Sequence, residues 1–397
     1  MRSWKLTILF FTASFFLSPV IFFFRIIRPM FWIRIGRIRT DRIGHLAGNM
    51  DRHFNFIKHN TDSKTIDFYY VHGFISNKYL LKMWSRKVKI VQGFLSYFLF
   101  IVDIVNSMIP GGNSHKIPEL NYGEDNLNYY SSNAAHLIFN EQEQTKGLSY
   151  LKSVGISKID NFICFCVRDD AYMSHIIPNQ NFSYHDYRNA SLDTHVAAVG
   201  KFMHCNNSYM SAIRMGSVVE SPISENSKII DYSLSDQTSD FLDLYLASKC
   251  KLFLNSGSGF SAVPRIFKTS LVAANLAPMG YIGSNPIVFI PKKYWHINEK
   301  RFLTFKEILQ SNVGYYLTSN DYINNGIELI ENTDNEIFEA LIEAEKRLSN
   351  TWNPTEEEVL LQQKFQNLFL PNPLFPSVRA PISLSFLKDN EDLLSDA

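Results

Sequence analysis

Arg168, Asp169, Asp170 and Tyr172 directly follow the apolar run NFICFCV, Arg214 follows YMSAI, and Ser256-Gly257-Ser258-Gly259 follows KLFLN. A guanidinium stays charged at any relevant pH and can hold a diphosphate through a bidentate fork. The S-G-S-G elbow leads from a strand-like run into a helical one, FSAVPRIF. A helix start presents unpaired backbone N–H groups to an anion, and Gly257 and Gly259 permit close backbone approach. The elbow reads equally well as a tight turn without a ligand. Between these clusters lies Tyr184-His185-Asp186-Tyr187-Arg188-Asn189. Arg188 adds a cation to the anion-binding set. His185 can serve as acid, base or phosphate donor, although a lone histidine in a loop is more often none of these. Arg168 and Arg214, each ending a strand-like run, would face one crevice with Ser256 and Ser258. Together they form a metal-free clamp for a diphosphate leaving group.

Two other chemistries find less support. The full G-x-G-x-x-G series is missing, because Ala262 stands in its last position, so a dinucleotide cofactor is disfavoured. No D-x-D pair is present for a metal-bound nucleotide. Asp169 and Asp170 are adjacent, and adjacent side chains at a strand end point to opposite sides. Neither a metal nor a bound cofactor is expected.

From Ile159 onward strand-like and helix-like runs alternate, as in the βαβ units of a parallel sheet. The pattern predicts strands at 160–167, 209–214, 227–231, 251–255, 270–275 and 286–290. It predicts helices at 191–204, 239–249, 259–268 and 304–311, with Ser191 and Ser239 as N-caps. Asp334–Leu348 and Glu356–Phe369 read as further helices. The Pro-rich and then acidic end from Pro371 reads as a loosely held tail, and Lys292 as a surface residue. Residues 40–150 are less regular, with one clear strand at Thr65–Val71. The apolar stretch Phe94–Ile109 is either a core helix or an interfacial patch.

The chain's 397 residues exceed what one core usually organises. Hydrophobic residues at 46% and charged residues at 19% exclude a disordered chain, and a net charge of +1 gives no reason to expect nucleic acid. Leu6–Phe24 is uncharged and spans about 28 Å as a helix, the thickness of a hydrocarbon core. Arg25, Arg28, Arg34, Arg37, Arg39 and Arg42 follow it, opposed only by Asp41. A retained anchor suits this better than a cleaved secretory signal, with the main body on the cytoplasmic face of the inner membrane. Spanning and monotopic insertion both remain open. Cys164, Cys166, Cys205 and Cys250 lack zinc-ligand spacing and read as reduced thiols.

At these residues the chain resembles a family of bacterial surface-polysaccharide glycosyltransferases. The resemblance rests on Arg42-Ile43-Gly44-His45-Leu46, Cys166-Val167-Arg168-Asp169-Asp170-Ala171-Tyr172 and Asp186-Tyr187-Arg188-Asn189. It continues through Arg214-Met215-Gly216, Ile230-Asp231-Tyr232 and Gly257-Ser258-Gly259-Phe260. It implies an α/β, GT-B-like fold: two Rossmann-like domains facing a cleft, preceded by a membrane-associated helix. The domains would be an anchor at 1–33, an acceptor-side domain at 34–155, a nucleotide-sugar domain at 156–350, and a helix with tail at 351–397.

By this resemblance a nucleotide-sugar donor would meet Arg168 and Ser256–Gly259, to which the residue pattern adds Arg188 and Arg214. A glycan or lipid-linked acceptor would be served by a base among His45, Asp169 and His185. Inner-membrane lipid is the remaining implied partner. Where the family has the histidine of H-x-R this chain has Cys166, and a thiol does not carry an imidazolium's charge. Two rival readings are another sugar-nucleotide enzyme such as an epimerase, and a non-catalytic sugar-binding protein at the membrane.

Overall fold

The computed structural model describes residues 16–60, 63–120, 134–176, 180–205, 211–223, 229–283, 286–370 and 379–394. The chain divides into two compact units, Met1–Tyr122 and Gly123–Ala397.

The first unit runs α1 (16–27), β1 (Trp32–Ile38), α2 (Met50–Asn60), β2 (Thr65–Val71), α3 (Lys78–Ser85), β3 (Lys89–Val91) and α4 (Phe94–Met108). Its sheet is parallel in the order β1-β2-β3. After α4 the chain returns to the far side of β1, where Lys116 bridges Ile35 in parallel. Strand β1 escaped the sequence reading because basic residues interrupt it. Arg34 faces inward and is neutralised by its register partner Asp67 through bonds of 2.7 and 2.8 Å. The expected basic cluster is therefore divided, with Arg34 belonging to the interior.

Of the expected anchor run, residues 6–15 lie outside the described residues. Leu17, Ile21 and Phe24 of α1 pack with Ile35, Tyr70, Val102 and Val105. Among the described residues no helix is long and apolar enough to cross a membrane.

The second unit begins with α5 (Glu141–Ser153), then β4 (Phe162–Val167), α6 (Ala171–Ile176), α7 (Leu192–Cys205), β5 (Ser211–Arg214) and β6 (Ile229–Asp231). It continues through α8 (Asp240–Lys249), β7 (Leu252–Ser256), α9 (Ala262–Ile266), β8 (Leu271–Leu276) and β9 (Val288–Pro291). Helix α5 packs on α8. Gly147 lies so close to the Tyr245 ring that a Cβ there would clash. The six strands form a parallel sheet in the order β6-β5-β4-β7-β8-β9. Strands β4 and β7 are almost wholly buried, which is why they read as unbroken apolar runs. The expected residues 209–210 and 227–228 lie outside the described residues.

Right-handed crossovers place α7, between β4 and β5, and α8, between β6 and β7, on opposite faces. The winding reverses between β4 and β7. In open α/β sheets such a reversal leaves a crevice beyond the carboxyl ends of the two strands.

A small antiparallel sheet follows, from β10 (Lys293–His296), β11 (Arg301–Phe302) and, after α10 (Phe305–Gln310) and α11 (Ser319–Asn324), β12 (Ile327–Ile330). The chain ends in α12 (Asp334–Leu348), α13 (Glu356–Asn367) and α14 (Leu384–Asp389). Residues 371–378 and 395–397 of the expected loose tail lie outside the described residues, but 379–394 are firmly packed. Ile382 bridges Phe289 beside β9, Ile382 and Leu387 are fully buried, and Arg379 donates to the Ile282 carbonyl at 2.6 Å. Four apolar residues, Ile382, Leu384, Phe386 and Leu387, suffice to close the core once β9 offers its edge.

Candidate functional site

Three sequence clusters meet at the β4/β7 reversal. Arg168 stands one residue past β4; its N–H donates to Ser256 Oγ at 3.1 Å and its carbonyl accepts from Ala190 N–H at 3.1 Å. The second contact pins the D-Y-R-N segment to the strand end. The Arg188 guanidinium donates to the Gly257 carbonyl. Gly257 has φ +62°, and a Cβ on it would lie 3.0 Å from the Arg188 carbonyl oxygen. Only glycine meets both demands. From behind, Lys292 donates to the Asn189 carbonyl at 2.6 Å and Ser319 Oγ accepts from Tyr187 N–H at 3.2 Å. Lys292, expected at the surface, is 4% exposed. It holds the segment in place, and burial pushes its ammonium pKa down.

The expected ligand set changes accordingly. Arg214 is committed to the fold. It is 2% exposed, pairs with Asp231 at 3.1 Å and donates to the Ser221 carbonyl at 2.6 Å. Ser256 is fully buried and serves as the link to Arg168. Ser258 Oγ accepts from Phe260 N–H at 3.1 Å, so it caps the turn at Gly259–Ser261. The Cys166 thiol lies 3.7 Å below it, and burial pushes that thiol up to about 11. Cys166 is therefore a neutral thiol near pH 7.

Asp169 is also committed to structure, with its oxygens accepting from Ala171 N–H and Glu220 N–H at 3.1 Å each. His185 lies in the Ser183–Arg188 turn with its ring centroid 4.0 Å from that of Tyr184. Arg168, Gly257, Ser258 and Gly259 remain partly accessible at the crevice.

A carboxylate pair went unnoticed in the sequence. Partial burial and the Asp170 carboxyl within hydrogen-bonding reach push the Asp186 carboxyl up, while Arg168 pulls it down. Asp186 is exposed, so the like charge of Asp170 counts for more than burial. Their separation of sixteen positions, across a loop, left no periodic signal. Among the described residues no group of three or more His, Cys, Asp or Glu is placed to hold a metal ion.

His45 belongs to the first unit. There a cavity of about 790 Å³ is lined by Arg37, Arg39, His45, His53, Tyr69 and Lys116, among others. Burial first, and Arg39 second, push the His45 imidazole down, which leaves it a neutral proton acceptor near pH 7. Burial likewise lowers His53 to about 4, and its ring meets Tyr69 edge-on at 5.4 Å. The unfolded chain takes up a proton near pH 6.5 and the folded chain only near 4. Stability is therefore lost as pH falls through that window. Melting at pH 5 should show about 2 kcal/mol less contribution from this group than at pH 7.5. The profile of His53→Gln, subtracted from wild type, isolates the effect; parallel profiles would refute it.

No protein-family model matches the chain, and no curated protein matches it. Two solved structures are similar in fold. A glycosyl transferase of family 9 from Veillonella parvula DSM 2008 shows 11% identity and a TM-score of 0.40, over 64% of this chain and 83% of that one. The E. coli ADP-heptose lps heptosyltransferase II shows 11% identity and a TM-score of 0.35, over 61% and 84%.

Proposed function

We propose that the protein is a glycosyltransferase of GT-B type that draws on a nucleotide-sugar donor with a diphosphate linkage. The observation that carries this reading is the convergence of Arg168, the D-Y-R-N segment and the S-G-S-G elbow at the β4/β7 reversal. Arg168 would neutralise the diphosphate as the glycosidic bond to it breaks, and the Gly257–Gly259 backbone would approach it from below. Asp186, whose carboxyl is pushed up, is a nearby group able to take up a proton. The cavity of the first unit, with its neutral His45, would receive a glycan or lipid-linked acceptor. The product would enter a surface polysaccharide assembled on the cytoplasmic face of the membrane.

The test is a donor panel on the purified full-length protein, scoring both binding and nucleotide release. UDP-, GDP-, dTDP- and ADP-sugars carry a diphosphate, whereas CMP-sugars do not. Turnover of a diphosphate donor and indifference to CMP-sugars supports the reading. Binding without turnover would favour a sugar-binding protein, and no binding at all would remove the clamp.

A further inference from the structure

The first unit carries an apolar face that its own fold leaves open. Helix α1 is divided lengthwise. Leu17, Ile21 and Phe24 are spent on the core, while Phe22, Phe23 and Ile26 are 52%, 55% and 77% exposed. Helix α4 shares that core through Phe98, Val102 and Val105, yet it too exposes large apolar side chains, Phe94 at 83% and Leu95 at 62%. Large apolar side chains so exposed on two neighbouring helices mark an interaction surface.

The charge around this face selects the partner. No Asp or Glu precedes Asp41 in the chain, and Arg28 is exposed just past the end of α1. Arg28 lies over the Trp32 ring at 4.9 Å, whereas Arg25 stacks on Phe22 at 5.7 Å with its head largely buried. Long basic side chains over an apolar helix face suit an anionic lipid interface, where the stem is buried and the head meets phosphate.

We infer that the first unit is a monotopic lipid-binding module, with α1 and α4 side by side in the interface of an anionic membrane. Crossing the bilayer would strip Ile21, 2% exposed, from the core it shares with β1 and α4. Lying in the interface keeps that packing and buries the opposite face. The inference stands apart from the proposed activity, since its readout is partition rather than turnover.

The experiment is co-sedimentation of the full-length protein with vesicles of phosphatidylcholine, with and without phosphatidylglycerol. Two double variants are compared, Phe23→Ser with Ile26→Ser on α1, and Phe94→Ser with Leu95→Ser on α4. All four positions are exposed, and melting without lipid verifies that the variants fold. Each pair should lower partition into anionic vesicles about tenfold or more. Omitting phosphatidylglycerol or raising salt should weaken binding of the wild type as well. If the α4 pair partitions like wild type, α1 is a simple anchor and the two-helix surface is refuted. If lipid binding is unchanged but the α4 pair turns a dimer into a monomer, the face joins two copies instead.

Discussion

Replacing Arg168 by alanine should lower kcat/KM for a diphosphate donor by about 2–4 kcal/mol, which is about 30- to 1,000-fold. The backbone of residue 168 supplies the contacts to Ser256 and Ala190, so the variant keeps the strand end and the D-Y-R-N segment in place. What it loses is the guanidinium. Arg168→Lys should recover only part of the activity, because an ammonium is a point charge and cannot form two parallel bonds to one phosphate. Steady-state kinetics on variants with wild-type melting curves decide the matter. Normal turnover in a folded Arg168→Ala protein would end the assignment of this residue to the donor.

Arg214→Ala should act on folding instead. Arg214 and Asp231 lie at the ends of paired strands β5 and β6, and the arginine side chain is almost wholly buried. Removing one member leaves Asp231 without its counter-charge, a loss of about 3–5 kcal/mol for a buried pair. Denaturant titration should show the transition midpoint falling with little change in slope. Replacing both residues by apolar ones of similar volume should return much of the loss, since the desolvation cost of the pair disappears with it. If Arg214→Ala kept full stability and lost donor binding, the original reading of a second strand-end clamp would stand after all. The two arginines looked alike in the sequence, as each follows an apolar run. The neighbouring strand gives only one of them a carboxylate in register.

That contrast marks the boundary between what was legible and what was not. The parallel sheet was legible because strands covered on both faces must be apolar throughout, as in Phe162–Val167 and Leu252–Ser256. Ser239 at the start of α8 and Ser191 before α7 were legible because capping is a matter of three or four residues. The S-G-S-G elbow was legible because a chain leaving a buried strand for a helix needs small residues there.

What only the tertiary structure decided involves partners far apart along the chain. Strand β1 needed Asp67 to make an inward arginine tolerable. The segment 379–394 needed the edge of β9, and Lys292 needed the carbonyl of Asn189. Ser256 was chosen as a ligand for its hydroxyl, and the fold uses that hydroxyl to join two strand ends. The sequence by itself determined where polar groups gather at strand ends, since burial excludes them from the strands. Which of those groups remain available for a ligand was decided by the fold, because a buried donor or acceptor is paired with whatever the long-range packing brings within reach.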